Sequence, residues 1–580
     1  MKWCAQESRE WIMIIGLDVG GTHADAVLLS KQGLERQIKV PTDTSNLFET
    51  VLTGFNYLLE DIPIGKIKRV VISTTLTTNA IVQKKFNTVG TIVSSGPGID
   101  PEWYRTDANY HAVGGSIDHR GRERKPLDHE EILAIAHRMK EKNITILGVI
   151  GKFSVRNPTH ELEIRDLLKN QFETIFLGHH VSGNLNFPRR IATVHLNASV
   201  YEIHRDFFHA VKNSLEQKGL QIPIQILKAD GGTMNLESSM AFPAQTILSG
   251  PAASVMGSIA YAPGDMDAMV LDIGGTTTDI AILVDKVPLL EPLGIRRGKY
   301  KTLIRSLKTH SRGIGGDSHV RVEKGKLKIG SGRLGPAMAF GGPVPTPTDA
   351  LIFLKKMNMG DPLLAQKGID SIAQALGIDP EVAAQTIFKK TCTMILEQAQ
   401  ALIHRINTKP VYTIHEFLAG YAIDPQKILL LGGPAPYFAQ EIEAQSGIST
   451  EVVPASSVAN AIGAALARTT CEVSLLADTE QGKAMAPEED FTRKISHKFT
   501  EEDAVEITHD LLLKKALKSG ADIEDMAVEI IEYQKFNIVR NFSPRGKIFK
   551  VKMQVKPGLI KAYDAVCHHC TINPDIEKGI

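Results

Sequence analysis

Cysteine is scarce in this chain. Five cysteines among 580 residues are too few for a disulfide framework and fit a reducing compartment. An excess of charge is also missing: 66 basic against 65 acidic residues leave a formal net charge of +1. No broad basic field therefore invites nucleic acid or an anionic membrane surface. No uninterrupted apolar run reaches the ~18 residues needed to cross a bilayer, because the stretch from Trp11 is broken by Asp18 and a glycine pair. The first ten residues carry Lys2, Glu7, Arg9 and Glu10 and have no apolar core of signal-peptide type. These absences predict a cytoplasmic protein with neither nucleic acid nor membrane as partner. What is present is ordinary for globular proteins, 43% hydrophobic and 23% charged residues, in a chain long enough for more than one domain.

An internal repeat is the strongest signal. Asp18-Val-Gly20-Gly21-Thr22-His-Ala-Asp25 recurs 254 residues later as Asp272-Ile-Gly274-Gly275-Thr276-Thr-Thr-Asp279. Each copy follows one apolar run and leads into another, the pattern of strand, glycine turn and strand in a β-hairpin. The spacing is domain-sized and predicts two similar domains facing each other. Glycines let backbone N–H groups approach a phosphate closely, and a Thr hydroxyl adds a donor. An Asp at a strand end suits Mg²⁺, which favours one or two carboxylates plus phosphate oxygens. Two such hairpins can grip a triphosphate from opposite sides. A G-x-x-x-x-G-K-[ST] loop is absent near either hairpin, which excludes a P-loop there. The glycine turns feed strands rather than helices, which disfavours a Rossmann site.

Other segments add candidates. A strand over Ile67 to Ile72 runs into Ser73-Thr74-Thr75-Leu76-Thr77-Thr78-Asn79-Ala80, hydroxyls suited to capping a helix or to binding an anion at its N-terminus. The polar, glycine-rich stretch from Arg105 to Leu127 reads as a loop or insertion. A helix begins at Asn157-Pro158, with His160 as a surface or capping residue, and Ala192 to Leu215 reads as a long helix. Asp230-Gly231-Gly232-Thr233 leaves open a place near a nucleotide or a plain turn. Ser249-Gly250-Pro251-Ala252-Ala253 opens a helix of small residues. Gly315-Gly316-Asp317 forms another glycine loop, whose Asp317 and His319 are candidates for proton transfer, and Asp349 reads as a helix cap. Gly432-Gly433 follows a strand where an adenosine face can lie on backbone, and Ser456 to Leu466 is a second small-residue helix. Cys567-His568-His569-Cys570 is a single C-x-x-C without a second pair at zinc spacing and reads as structural or fortuitous.

The order of these motifs resembles the hydantoinase A/oxoprolinase family over roughly residues 12 to 470. The resemblance is carried by Ile15 to Leu29, Ser73 to Lys85, Ser249 to Ala253, Leu271 to Leu283, Gly313 to Ser318 and Leu430 to Gly433. It implies an α/β fold of two ribonuclease H-like, actin/sugar-kinase-type domains flanking a nucleotide cleft, at 12–190 and 191–471. Residues 472–580 read as a small appended α+β domain. It also implies ATP and Mg²⁺ as cofactors and ATP-dependent hydrolysis of a cyclic amide such as a hydantoin or oxoproline, or the ATP-hydrolysing role in a related carboxylase. Carried onto this sequence, Asp18, Gly20, Gly21 and Thr22 form one phosphate hairpin and Asp272, Gly274, Gly275 and Thr276 the other. Asp18 and Asp272 are the metal ligands, Gly315 and Gly316 line the phosphates, Gly432 and Gly433 flank adenosine, and Asp18, Asp272 and Asp317 are the catalytic candidates. Two departures stand out: Asp317 occupies a position often glycine in the family, and His23 one often aromatic. A separate hydantoinase B-like subunit and self-association are the expected partnerships. A small-molecule kinase and an ATPase that activates or repairs a partner enzyme stay open as alternatives.

Overall fold

In the computed structural model the described residues are 13–561, apart from 22, 44–45, 83–85, 218, 292–293, 298–299, 331–333 and 409–421. The Cys567–Cys570 pair lies outside them, as does Thr22. Two sheets share one pattern. In the first, Met13–Val19 pairs antiparallel with His23–Ser30, which pairs antiparallel with Gly33–Pro41. On its other side Met13–Val19 runs parallel to Ile67–Thr74, which runs parallel to Ile224–Leu227. In the second, Ala268–Ile273 pairs antiparallel with Thr278–Val284, which pairs antiparallel with Val287–Pro288. Ala268–Ile273 also runs parallel to Lys427–Leu431, which runs parallel to Ser449–Val452. The two glycine hairpins thus hold the same place in two sheets of equal strand order. The last strands of the first sheet, Ile224–Leu227 and Thr233–Asn235, come from beyond residue 190.

Strand alternation splits the apolar residues between two faces. On the outer face of the first sheet, Ile15, Leu17 and Val19 pack with Phe207 and Phe208 of the long helix Phe187–Gln217. On the outer face of the second, Leu271 and Ile273 pack with Phe388 and Phe438. The inner faces, with Ile14, Val27, Val270 and Leu283, share one core with the helices Ser249–Ile259 and Ala459–Leu466. Small residues make that shared core thin. A Cβ on Gly257 would lie 2.2 Å from the Ala459 carbonyl oxygen, one on Gly463 2.1 Å from that of Ala253, and one on Gly16 2.1 Å from that of Ala461. The approach of the two helices, and hence of the two sheets, depends on these missing side chains. Both helices are approached through a non-glycine residue in the left-handed region, Leu248 (φ 65°) and Ala455 (φ 51°), a strained conformation that dense packing holds in place.

A four-stranded parallel sheet, Thr174–Leu177, Ile146–Gly151, Gly90–Ser94 and Tyr110–Val113, is inserted between strands of the first sheet. It corrects two expectations. The Arg105-to-Leu127 stretch contributes the edge strand Tyr110–Val113 and the short pair Ser116–Ile117 and Glu123–Lys125, segments too short to show a period. His160 is buried, not superficial, with Nε2 2.9 Å from Glu123 Oε1, because the helix Thr159–Leu168 turns its first residues inward. From Glu472 the chain forms an antiparallel five-stranded sheet covered by the helix Glu501–Lys518. No described helix is long and apolar enough to cross a membrane.

Candidate nucleotide site

Each hairpin is closed by its first glycine. The Gly20 N–H donates to the His23 carbonyl at 3.0 Å and the Gly274 N–H to that of Thr277 at 2.9 Å. These two N–H groups are therefore engaged in the turns, and Gly21 and Gly275 stand at the tips. The register sets the carboxylates: Asp18 lies opposite Asp25, and Asp272 opposite Asp279. Ser73, on the neighbouring parallel strand, is the register partner of Asp18 on the other side.

The four carboxylates are buried or half-buried and share one electrostatic field. Burial raises the Asp18 carboxyl above its ordinary value, opposed by hydrogen bonds from Ser73 and Asn460 and by the charge of Lys39. Burial also raises Asp272, opposed by a hydrogen bond from Ser254, while the charge of Asp18 pushes it further up. Asp25, paired with Lys39 at 2.6 Å, is pushed up to about 6, chiefly by burial, with Asp18 and Asp272 adding to the rise. Asp279 is pushed up to about 7 by burial and by the charges of Asp272 and Asp18. Asp18 Oδ1 and Asp279 Oδ1 are buried without a hydrogen-bond partner. Mutually destabilised carboxylates with orphaned oxygens make a donor set that a hard divalent cation neutralises. The residues present therefore fit Mg²⁺, with Asp18 and Asp272 as the candidates to hold it.

Asn460 ties the halves together. Its Nδ2 lies 3.3 Å from Asp18 Oδ2, and it helps offset the rise of the Asp272 carboxyl. Ser254 Oγ donates to Asp272 Oδ2 at 2.5 Å. Neither residue stands out in the sequence, although both belong to the two small-residue helices; a lone amide in Ala459–Leu466 was the available signal. The hydroxyl cluster after Ile67–Thr74 turns out to be knitted internally. Ser249 Oγ donates to the Thr74 carbonyl at 3.0 Å, Thr77 and Thr246 hydroxyls meet at 3.0 Å, and Thr74 Oγ1 accepts from the Leu76 N–H.

The glycine loop at 315–317 lies on the second hairpin. Gly316 N–H donates to the Gly274 carbonyl at 3.0 Å and Asp317 N–H to that of Gly275 at 2.5 Å. A Cβ on Gly315 would sit 2.4 Å from the Gly274 carbonyl oxygen, and one on Gly275 2.7 Å from Asp317 Oδ2. Asp317 thus borders the hairpin tip, whereas the His319 ring lies against Gly330 and Arg321. Gly432, at φ 92°, touches the Asp272 neighbourhood: its Cβ would meet the Ile273 carbonyl at 2.2 Å and Asp272 Oδ1 at 2.9 Å, while Gly433 borders open space. The turn at Asp230 is a buried ionic junction instead. Its carboxylate meets Lys228 at 3.3 Å and Thr470 at 3.2 Å. Asp349 does help cap a helix, but from its third position, in a capping box whose N-cap is Thr346.

Gly275→Ala is expected to move the Asp317 carboxylate while leaving the fold stable within ~1 kcal/mol, since the obstructing atom ends a half-buried side chain. Calorimetry beside nucleotide turnover checks this: a large fall in melting temperature contradicts it, and so does unchanged turnover.

Two sheets of equal strand order, each presenting an Asp-x-Gly-Gly-Thr hairpin to the other, agree with the family models that match the chain. Residues 14–172 match the hydantoinase/oxoprolinase N-terminal region and residues 190–473 the hydantoinase/oxoprolinase domain. The chain belongs to the hydantoinase/oxoprolinase family. Among its relatives is the caprolactamase subunit alpha of Pseudomonas jessenii, 24% identical over 76% of this chain and 68% of that protein. Another is the acetophenone carboxylase gamma subunit of Aromatoleum aromaticum, 25% identical over 66% of this chain and 59% of that protein. The fold is that of a nucleotide-free acetone carboxylase structure, with a TM-score of 0.71 at 16% identity over 96% of this chain and 88% of the other.

Proposed function

We propose that the chain is an ATP-dependent enzyme subunit that activates a carbonyl oxygen by phosphorylation, acting on a cyclic amide or, as in the related carboxylases, supplying ATP hydrolysis to a carboxylation. The observation that supports this reading is that Asn460 bonds Asp18 and Ser254 bonds Asp272 from two touching helices, so that both glycine hairpins border one buried acidic centre. In this reading the two sheets are the halves of an actin-type ATPase. Bound Mg²⁺ supplies charge neutralisation for the triphosphate. Asp18 and Asp272 hold the ion, Asn460 and Ser254 orient these carboxylates, and the tips at Gly21 and Gly275 offer backbone close to the phosphates. Phosphoryl transfer asks the protein mainly for position and charge compensation. Phosphorylation of the amide oxygen makes its carbon electrophilic enough for water to add; the tetrahedral adduct expels the ring nitrogen, which takes a proton, and a second water hydrolyses the resulting acyl phosphate to carboxylate and free phosphate. Asp317, beside the second tip, is placed to manage a proton. Relatives named as alpha and gamma subunits support a separate partner subunit.

The test is release of ADP and phosphate from Mg²⁺-ATP across lactams, hydantoins, oxoproline and ketones with bicarbonate, with and without a co-expressed hydantoinase B-like subunit. Stimulation by one class, with free phosphate and an opened or carboxylated product, supports the proposal. A stable phosphorylated product makes the chain a kinase instead, and absence of nucleotide binding overturns the ATPase reading.

A further inference from the structure

Outside the nucleotide site, two adjacent histidines and one aspartate converge where the inserted parallel sheet meets the C-terminal domain. His179 and His180 follow the strand Thr174–Leu177, and Asp490 precedes Phe491–Lys494. Asp490 Oδ1 lies 3.3 Å from His180 Nε2 and 3.9 Å from His179 Nε2, and the three ligand atoms all fall within 4.8 Å of one another.

The tautomer of His179 follows from its other nitrogen. His179 Nδ1 sits 2.5 Å from Glu161 Oε2, which also accepts from the His179 N–H at 2.8 Å, while Oε1 accepts from the Gly151 N–H at 2.6 Å. Both Glu161 oxygens thus already accept backbone N–H groups, and a carboxylate oxygen set to accept leaves His179 Nδ1 as the donor. In the neutral ring Nε2 then carries a lone pair. That atom is buried in a fully buried residue and has no hydrogen-bond partner, and 3.9 Å to Asp490 is too long for a hydrogen bond. A carboxylate that fixes one ring nitrogen while the other faces two further donors is the arrangement found around metal-ligating histidines. Gly178 makes room for it: a Cβ there would come within 2.6 Å of Glu161 Oε1.

We propose that His179 Nε2, His180 Nε2 and the Asp490 carboxylate bind a first-row divalent transition ion, zinc in the first instance, which ties the inserted sheet to the C-terminal domain. Imidazole donors with one carboxylate suit this class of cation better than Mg²⁺ or Ca²⁺, which prefer all-oxygen sites. Three protein ligands leave one tetrahedral position for water. The site is separate from the Asp18–Asp272 centre in donor chemistry as well as in residues.

The experiment uses the full chain carrying Cys567→Ser and Cys570→Ser, so that metal taken by that pair is not counted. Chelator-stripped protein is titrated with Zn²⁺, and with Co²⁺ for its visible d–d bands. The expected result is about one ion per chain with a tetrahedral Co²⁺ spectrum. His180→Ala and Asp490→Ala should each weaken binding by ~10-fold or more and remove the bands. These side chains are partly or largely exposed, so both variants should fold. Glu161→Gln, which leaves all three ligands in place, should weaken binding as well. Absence of uptake by the parent protein overturns the proposal, as does uptake that His180→Ala and Asp490→Ala both leave unchanged.

Discussion

Asp18→Asn should reduce ATP turnover by ~10³-fold or more, the scale of losing a main electrostatic contributor at a charged reaction centre, while the free protein becomes more stable. The two effects have one cause. Asp18 is buried beside the charges of Asp25, Asp272 and Asp279, so an isosteric amide removes repulsion from the free protein and, under the proposed function, a metal ligand from the nucleotide complex. The corresponding pH dependence can be signed. Asp25 and Asp279 have folded-state pKa values raised to about 6 and about 7, above the ordinary 3.8. The folded state therefore binds protons more readily than the unfolded one. Their contribution to stability is fully present below about pH 3.8 and is lost as the pH rises through 6 to 7. Asp279→Asn should flatten that loss relative to the parent protein. Melting curves of parent, Asp18→Asn and Asp279→Asn between pH 4 and 8, beside phosphate release, are the measurement. Turnover within tenfold of the parent in Asp18→Asn removes Asp18 from the metal site, and a pH slope unchanged by Asp279→Asn removes the acidic field.

Gly463→Ala should be strongly destabilising, costing ~3 kcal/mol or more, and should weaken nucleotide binding at the same time. The added Cβ would lie 2.1 Å from the Ala253 carbonyl oxygen and 2.3 Å from the Gly257 nitrogen. Both obstructions are backbone in the middle of a facing helix, so neither can rotate away. The only relief is to separate Ser249–Ile259 from Ala459–Leu466. That separation also pulls Asn460 and Ser254, which sit on those helices, from Asp18 and Asp272. Gly65→Ala, where an added Cβ meets nothing within 4 Å, is the control and should stay within ~1 kcal/mol. Calorimetry and nucleotide titration read both effects. A Gly463→Ala protein as stable as Gly65→Ala would mean that the two helices are not in close contact.

Much of the site's inventory was legible along the chain because its parts are local. A strand, a glycine turn and a second strand need only neighbours in sequence, so both hairpins, Asp18 opposite Asp25 and Asp272 opposite Asp279 follow from short-range pattern. The long helix, read over Ala192 to Leu215 and found as Phe187–Gln217, and the capping role of Asp349 follow for the same reason. Of the parallel sheet around Gly90–Ser94, the apolar run from Ile144 to Ile150 was legible as a strand and is found as Ile146–Gly151; its neighbours were not, because strands of four to six residues with both faces covered lack alternation. His160 and the Glu161–His179 pair were equally hidden: the partners come from different elements, and nothing in either segment says which way a side chain turns.

The sequence alone determined that two glycine hairpins exist, that they are copies, and that each carries a pair of aspartates, since these properties reside in residue types at fixed spacing. Tertiary structure decided which groups surround those aspartates. Asn460 reaches Asp18 from 442 positions away, and Asp490 meets His180 across 310. Contacts over such separations are set by how closely helices and sheets can approach, which depends on the absent side chains of Gly16, Gly257 and Gly463 and becomes visible only once the chain is packed.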